Sequence, residues 1–167
     1  MSKSKSWLDI KLDTIESSKH KNEMFRFTLL WSLFENKLLE NEYKRYTSEK
    51  IESSIKKLKS DLYIEDFRDS LDYFKDRYKD QEKFNRLAFK KNDKKELVEN
   101  VLFHNEQNIE DIVSALLIIV YRIRNNFFHG AKWQYELTGQ YDPFENFQIC
   151  NKILEKILEI SKKEDEI

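Results

Sequence analysis

The chain has 167 residues but only two glycines and one proline. Those two residue types are the strongest local breakers of regular structure, so with so few of them tight turns are scarce and long helices are the default. Charged residues make up 37% of the chain. With so many charges, disorder is the obvious alternative, but 40% hydrophobic and 14% aromatic content supplies the apolar surface a core needs. The length suits one domain with a real core and not comfortably two. The expectation is an all-α, single-domain bundle of about five to six amphipathic helices.

Charge and cysteine usage narrow the function classes. A net charge of −1 gives no global basic field for nucleic acid or a membrane surface, so any RNA or DNA contact has to be local. The single Cys150 excludes an intramolecular disulfide and fits a reducing cytosol. One cysteine and three scattered histidines, His20, His104 and His129, make no zinc site. The start, MSKSKSWLDIKLD, lacks the apolar stretch of a secretion signal. The most apolar run, ALLIIVY at 115–121, falls far short of the ~20 residues a membrane helix needs. A cytoplasmic protein with no membrane partner is expected.

Along the chain, residues 1–21 form a polar N-terminal arm. Its Trp7, Leu8, Ile10 and Leu12 fit either a short strand or a docked segment. The helical domain takes up 22–167. A helix over about 22–46 is predicted by Phe27, Leu30, Trp31, Phe34 and Leu38 on one face. A second, from Thr47 or Ser48, carries Ile51, Ile55, Leu58 and Leu62; a third, over about 65–79, carries Phe67, Leu71, Phe74 and Tyr78. The stretch KFNRLAFKKNDKK, 83–95, sets six Lys/Arg against one Asp with Phe84, Leu87 and Phe89 between them. Such a stretch can guide nucleic acid, but a solvated helix end and loop is the preferred reading. A short helix at about 94–104 follows, with His104 near its end and no arginine partner in sequence.

The central helix is the clearest element. Asn108 is a good N-cap, Glu110 and Asp111 suit the positive end of the helix dipole, and 112–123 is apolar on nearly every face. Gly130 stands where a glycine closes a helix. A loop at 131–141 then leads to Asp142-Pro143, a cap followed by proline in the first turn of a last helix reaching about 161. Phe147, Ile153, Ile157 and Ile160 mark that helix's apolar face.

Polar groups crowd the end of the central helix, in YRIRNNFFHGAKW at 121–133. Emergence into water covers Arg122 and Asn126. It covers Arg124, Asn125 and His129 less well. Asn125 and His129 are four apart and share a face with Tyr121, while Phe127 and Phe128 are placed to anchor the helix end. Histidine exchanges protons near neutral pH and arginine matches two phosphate oxygens with a planar fork. The cluster has no serine or cysteine nucleophile and no carboxylate group of its own to hold a metal. Ribose supplies its own nucleophile, the 2′-OH, so if the cluster is catalytic it points to RNA.

R-N-N-F-F-H, Arg124 to His129, resembles the R-x4–6-H motif of the HEPN superfamily, including the polar residue after the arginine. The earlier WSLFE, with Trp31, Leu33, Phe34 and Glu35, is similar to part of the first long helix of many HEPN domains. The resemblance spans about 22–161, and its specific part is 124–130. It implies an endoribonuclease that needs no metal or other cofactor, of a kind that acts as a toxin or antiviral effector. It also implies a homodimer that builds one composite cleft, and allows for an antitoxin or other partner protein. Carried over, Arg124 binds the scissile phosphate, His129 transfers protons and Asn125 orients them. Lys132, Asn126 and Tyr121 are further candidates for RNA contact, and Glu35 is a supporting residue or, the preferred reading, only a solvated or helix-pairing carboxylate. HepT-type toxins carry Tyr two positions after the histidine. This chain has Ala131 there, which speaks against a HepT-type role. Two alternatives remain: a silent HEPN-like module that binds RNA, a nucleotide or a partner protein, and a purely structural bundle. Trp133 and Tyr135 could stack on bases, although aromatics after a helix are more often core caps.

Overall fold

The computed structural model describes residues 18–39, 47–128 and 143–164, with side chains at 21–39, 47–128 and 145–162. The described residues contain no strand, and seven α-helices carry the fold: α1 Ser18–Leu38, α2 Thr47–Lys57, α3 Arg68–Tyr78, α4 Gln81–Asn85, α5 Lys95–Phe103, α6 Ile109–Phe128 and α7 Pro143–Glu164. Six of these are the helices read from periodicity. The seventh, α4, is a single short turn capped by Asp80, whose carboxylate accepts from the Glu82 and Lys83 amides at 2.9 and 3.2 Å.

The core sits around α6. Every residue from 112 to 120 is buried because α2, α5, α3 and α7 pack on its different sides. A helix surrounded in this way has no face to give to water, which is why its apolar residues show no stripe. Asn108 caps it as expected, its side-chain oxygen accepting from the Glu110 and Asp111 amides at 2.8 and 3.3 Å. α1 lies along α7 over the most extensive helix–helix contact among the described residues. Phe27, Trp31 and Phe34 are buried from α1, and Phe147, Ile153, Ile157 and Ile160 from α7. Asn151 ties the pair by donating to the Glu23 backbone oxygen at 3.1 Å and its carboxylate at 2.8 Å, and Arg26 pairs with Glu155.

Boundaries differ from the sequence reading at several points. α1 begins at Ser18, inside the expected arm, and ends at Leu38, while 40–46 lie outside the described residues. The second helix, expected to reach Leu62, stops at Lys57 and gives way to two 3-10 turns, Lys59–Asp61 and Ile64–Asp66. The third starts only at Arg68. The packing explains why: Leu62 and Phe67 are both buried, yet five positions on a straight helix are about 140° apart. The tighter turns bring both side chains inward. No described helix is long and apolar enough to cross a membrane.

Candidate functional site

The last turns of α6 carry two sets of polar side chains on opposite faces. Arg122 and Asn126, one turn apart, point inward, contrary to the expectation that they emerge into water. Arg122 is 3% exposed. Its Nε donates to the Leu87 carbonyl at 3.0 Å, one Nη donates to the Ala88 carbonyl at 2.7 Å, and the other meets the Asp93 carboxylate at 2.9 Å. Asn126, 8% exposed, donates its amide to the Arg86 and Leu87 carbonyls at 2.9 and 3.3 Å. Both side chains are committed to holding the segment between α4 and α5, so Asn126 is not placed for RNA contact. That segment needs holding: Ala88 has φ 52°, in the left-handed region that costs a residue with a Cβ about 1 kcal/mol or more.

The same contacts settle how the basic stretch is built. Phe84 and Leu87 are buried and Phe89 packs on the core. Four of the six cations face carboxylates: Lys83 with Asp80, Arg86 with Glu82, Lys94 with Glu52 and Lys95 with Glu99. The stretch is a packed connection with a solvated rim, so its aromatics are not available to stack on bases.

Arg124 occupies the other face, and α1 comes to meet it. Its guanidinium carbon lies 5.9 Å from the Trp31 ring centre and 4.9 Å from that of Phe128. Trp31 in turn stacks with Tyr121, ring centres 6.0 Å apart and planes 23° from parallel. One guanidinium nitrogen donates to the Asn125 side-chain oxygen at 3.1 Å, and another stands 3.9 Å from the Glu35 carboxylate. The first contact is a hydrogen bond; the second is a loose ion pair. The Arg124 side chain is 25% exposed and that of Glu35 22%. Nε of Arg124 is buried without an acceptor, as is the neighbouring Trp31 indole nitrogen. Arginine has five N–H donors, so this one is underused. An unfilled buried donor costs about 1–3 kcal/mol.

The structure therefore brings together Arg124, Asn125, Tyr121 and Glu35, and adds Trp31 and Phe128. Glu35 is a helix-pairing carboxylate and lies at the site as well. Only half of the expected aromatic anchor holds. Phe127 is partly buried edge-on to Phe147, whereas Phe128 is 50% exposed. Its exposed ring is visible only once the helix is placed, because nothing in F-F says which phenylalanine turns outward. His129, Gly130, Ala131, Lys132, Trp133, Tyr135 and Asp142 lie outside the described residues, as does the arm at 1–17. His104 is exposed at the end of α5, apart from the Arg124 cluster.

Among the described residues, no three or more His, Cys, Asp or Glu side chains are grouped so as to hold a metal ion. A cavity of about 420 Å³ lies elsewhere, between α1, α3 and α7, lined by Glu23, Arg26, Tyr73, Asn151 and Glu155 among others. It shares no residue with the Arg124 cluster. Compared with protein-family models, with curated proteins and with solved structures, the chain finds no match.

Proposed function

We propose that the protein is a metal-independent endoribonuclease of HEPN type, working in the cytoplasm as a toxin or antiviral effector. The observation that carries the proposal is the state of Arg124. It is three-quarters buried, held between two rings, and short of acceptors for its donors, at the start of the segment that reads R-N-N-F-F-H. A phosphate offers oxygens in the arrangement a guanidinium fork takes. In this reading Arg124 binds the scissile phosphate and Asn125 fixes the fork through its 3.1 Å hydrogen bond. His129 moves the proton between the ribose 2′-OH and the leaving oxygen. Glu35 holds the guanidinium until a phosphate displaces it, and Lys132 steadies the strand.

The active form in this reading is a homodimer. Phe25, Leu29 and Leu33 recur every four residues along α1 and are 65%, 50% and 57% exposed. They form an apolar stripe opposite the buried face, and a second copy covers it while completing the cleft. An antitoxin or other partner protein would restrain the activity.

One observation favours a second reading. The Glu35 carboxylate already faces the fork, as it would in a silent module whose arginine only binds, or in a helix-pairing contact with no ligand at all. Single-stranded RNA incubated in excess EDTA separates these readings. Cleavage by the wild type, with DNA and 2′-O-methylated RNA left intact, supports the ribonuclease. RNA binding without cleavage supports the silent module, and neither activity leaves a structural ion pair.

A further inference from the structure

We infer that Phe128 is a stacking platform for the nucleobase next to the phosphate that Arg124 binds; this rests on the ribonucleic-acid reading of that site. The ring ends a file of aromatics running out from the core. Phe27 meets Phe147 at 5.1 Å, Phe147 meets Phe127 at 5.1 Å and 77°, and Phe127 meets Phe128 at 5.2 Å and 74°. The inner members are buried or partly buried, so the edge of the last ring is gripped. Arg124 sits over the ring at 4.9 Å. With its edge and one face held, Phe128 is still 50% exposed.

Leaving half of a phenylalanine in water forgoes apolar burial that a polar residue at this surface position would not lose. A ligand with a flat apolar face recovers it. Phe128 differs in this respect from the exposed stripe of α1, because it stands against the fork itself. A base and its phosphate are joined through one sugar, so a strand whose phosphate reaches Arg124 carries a base to the ring beside it. Every base has a π-face, so the platform recognises single-stranded RNA with little sequence preference. Bases in a duplex are already stacked and are refused. The Arg124 guanidinium, lying between phosphate and ring, adds a cation to the stack.

The test compares binding of a short oligouridylate, 2′-O-methylated throughout to prevent cleavage, with that of a base-free sugar–phosphate chain of equal length. Both are followed by fluorescence anisotropy on the wild type, Phe128→Leu and Phe128→Trp. A stacked base contributes about five- to a hundredfold in affinity. The wild type should prefer the oligouridylate by at least that factor. Phe128→Leu, which keeps an apolar side chain but no ring, should lose the preference, and taking the ratio of the two chains cancels any loss of phosphate binding that follows from removing a ring beside Arg124. Phe128→Trp should retain it. An unchanged preference in Phe128→Leu overturns the inference, as does equal weakening toward both chains or a wild type that binds neither. Cleavage keeps the two proposals apart: a wild type that cuts RNA while Phe128→Leu keeps its base preference sinks only the platform. A wild type that prefers bases through Phe128 but never cuts sinks only the ribonuclease.

Discussion

At the scale of single residues, the end of α6 divides its polar side chains by face. Arg122 and Asn126 brace a neighbouring segment, while Arg124, half a turn away, presents its guanidinium fork with Asn125 hydrogen-bonded to it. Arg122 and Asp93 are a buried ion pair whose remaining donors go to backbone carbonyls. Arg122→Leu strands the Asp93 charge and should lower stability by about 3–5 kcal/mol, measured by urea unfolding. Loss of less than 1 kcal/mol would show that the pair is solvent-screened. Arg124→Lys should leave stability within about 1 kcal/mol, since its pair with Glu35 is loose and partly exposed. The same change should lower RNA cleavage at least tenfold, because a point charge cannot replace the fork. Arg124 stands out in the sequence through its spacing to His129, and the structure adds its contacts with Trp31, Glu35 and Phe128. Arg122 was not, because its acceptors are carbonyls some 35 residues away, and every residue has a carbonyl. Glu35 could be named from sequence but not paired, since only the packing of α1 brings it to the fork.

Helices were legible where one face is buried and less so where local geometry decides. The stripes of α1, α2, α3 and α7 appear as i, i+3, i+4 patterns and are the faces that pack. The 3-10 turns after α2 answer to tertiary demand at Leu62 and Phe67, which no local pattern announces. The outward stripe of α1 leads to a prediction at this scale. Leu29→Glu places a charge among exposed apolar side chains, so monomer stability should hold while a two-fold assembly dissociates, as sedimentation would show. An unchanged sedimentation coefficient for a dimeric wild type would locate the seam elsewhere. The N-terminal end of α6 yields a pH prediction. Burial raises the Asp111 carboxyl above its ordinary 3.8, reinforced by the charges of Glu106, Glu52 and Glu110 and opposed by Lys56. A carboxyl raised on folding contributes stability below its unfolded pKa and loses it as pH rises through the folded value. Asp111→Asn should therefore gain thermal stability over the wild type at pH 7, and the gain should vanish below about pH 4. A gain that grows on acidification would reverse the assigned sign.

For the molecule as a whole, the fold class could be read from the scarcity of glycine and proline, and α6 from its unbroken apolar run. The proposed function rests on a shorter stretch, 124–130, of which 124–128 are among the described residues. Wild type and Leu29→Glu compared by light scattering at micromolar concentration test the dimer; a strictly monomeric wild type would contradict the composite cleft. The central claim is the chemistry, and the most direct measurement of it is to map the ends of RNA cut in excess EDTA by the wild type and by His129→Ala. The proposed mechanism predicts 2′,3′-cyclic phosphate or 3′-phosphate ends from the wild type and a loss of about 10²–10⁴-fold in His129→Ala with the helical fold intact. Cleavage that requires added metal, or that persists undiminished in His129→Ala, would contradict it.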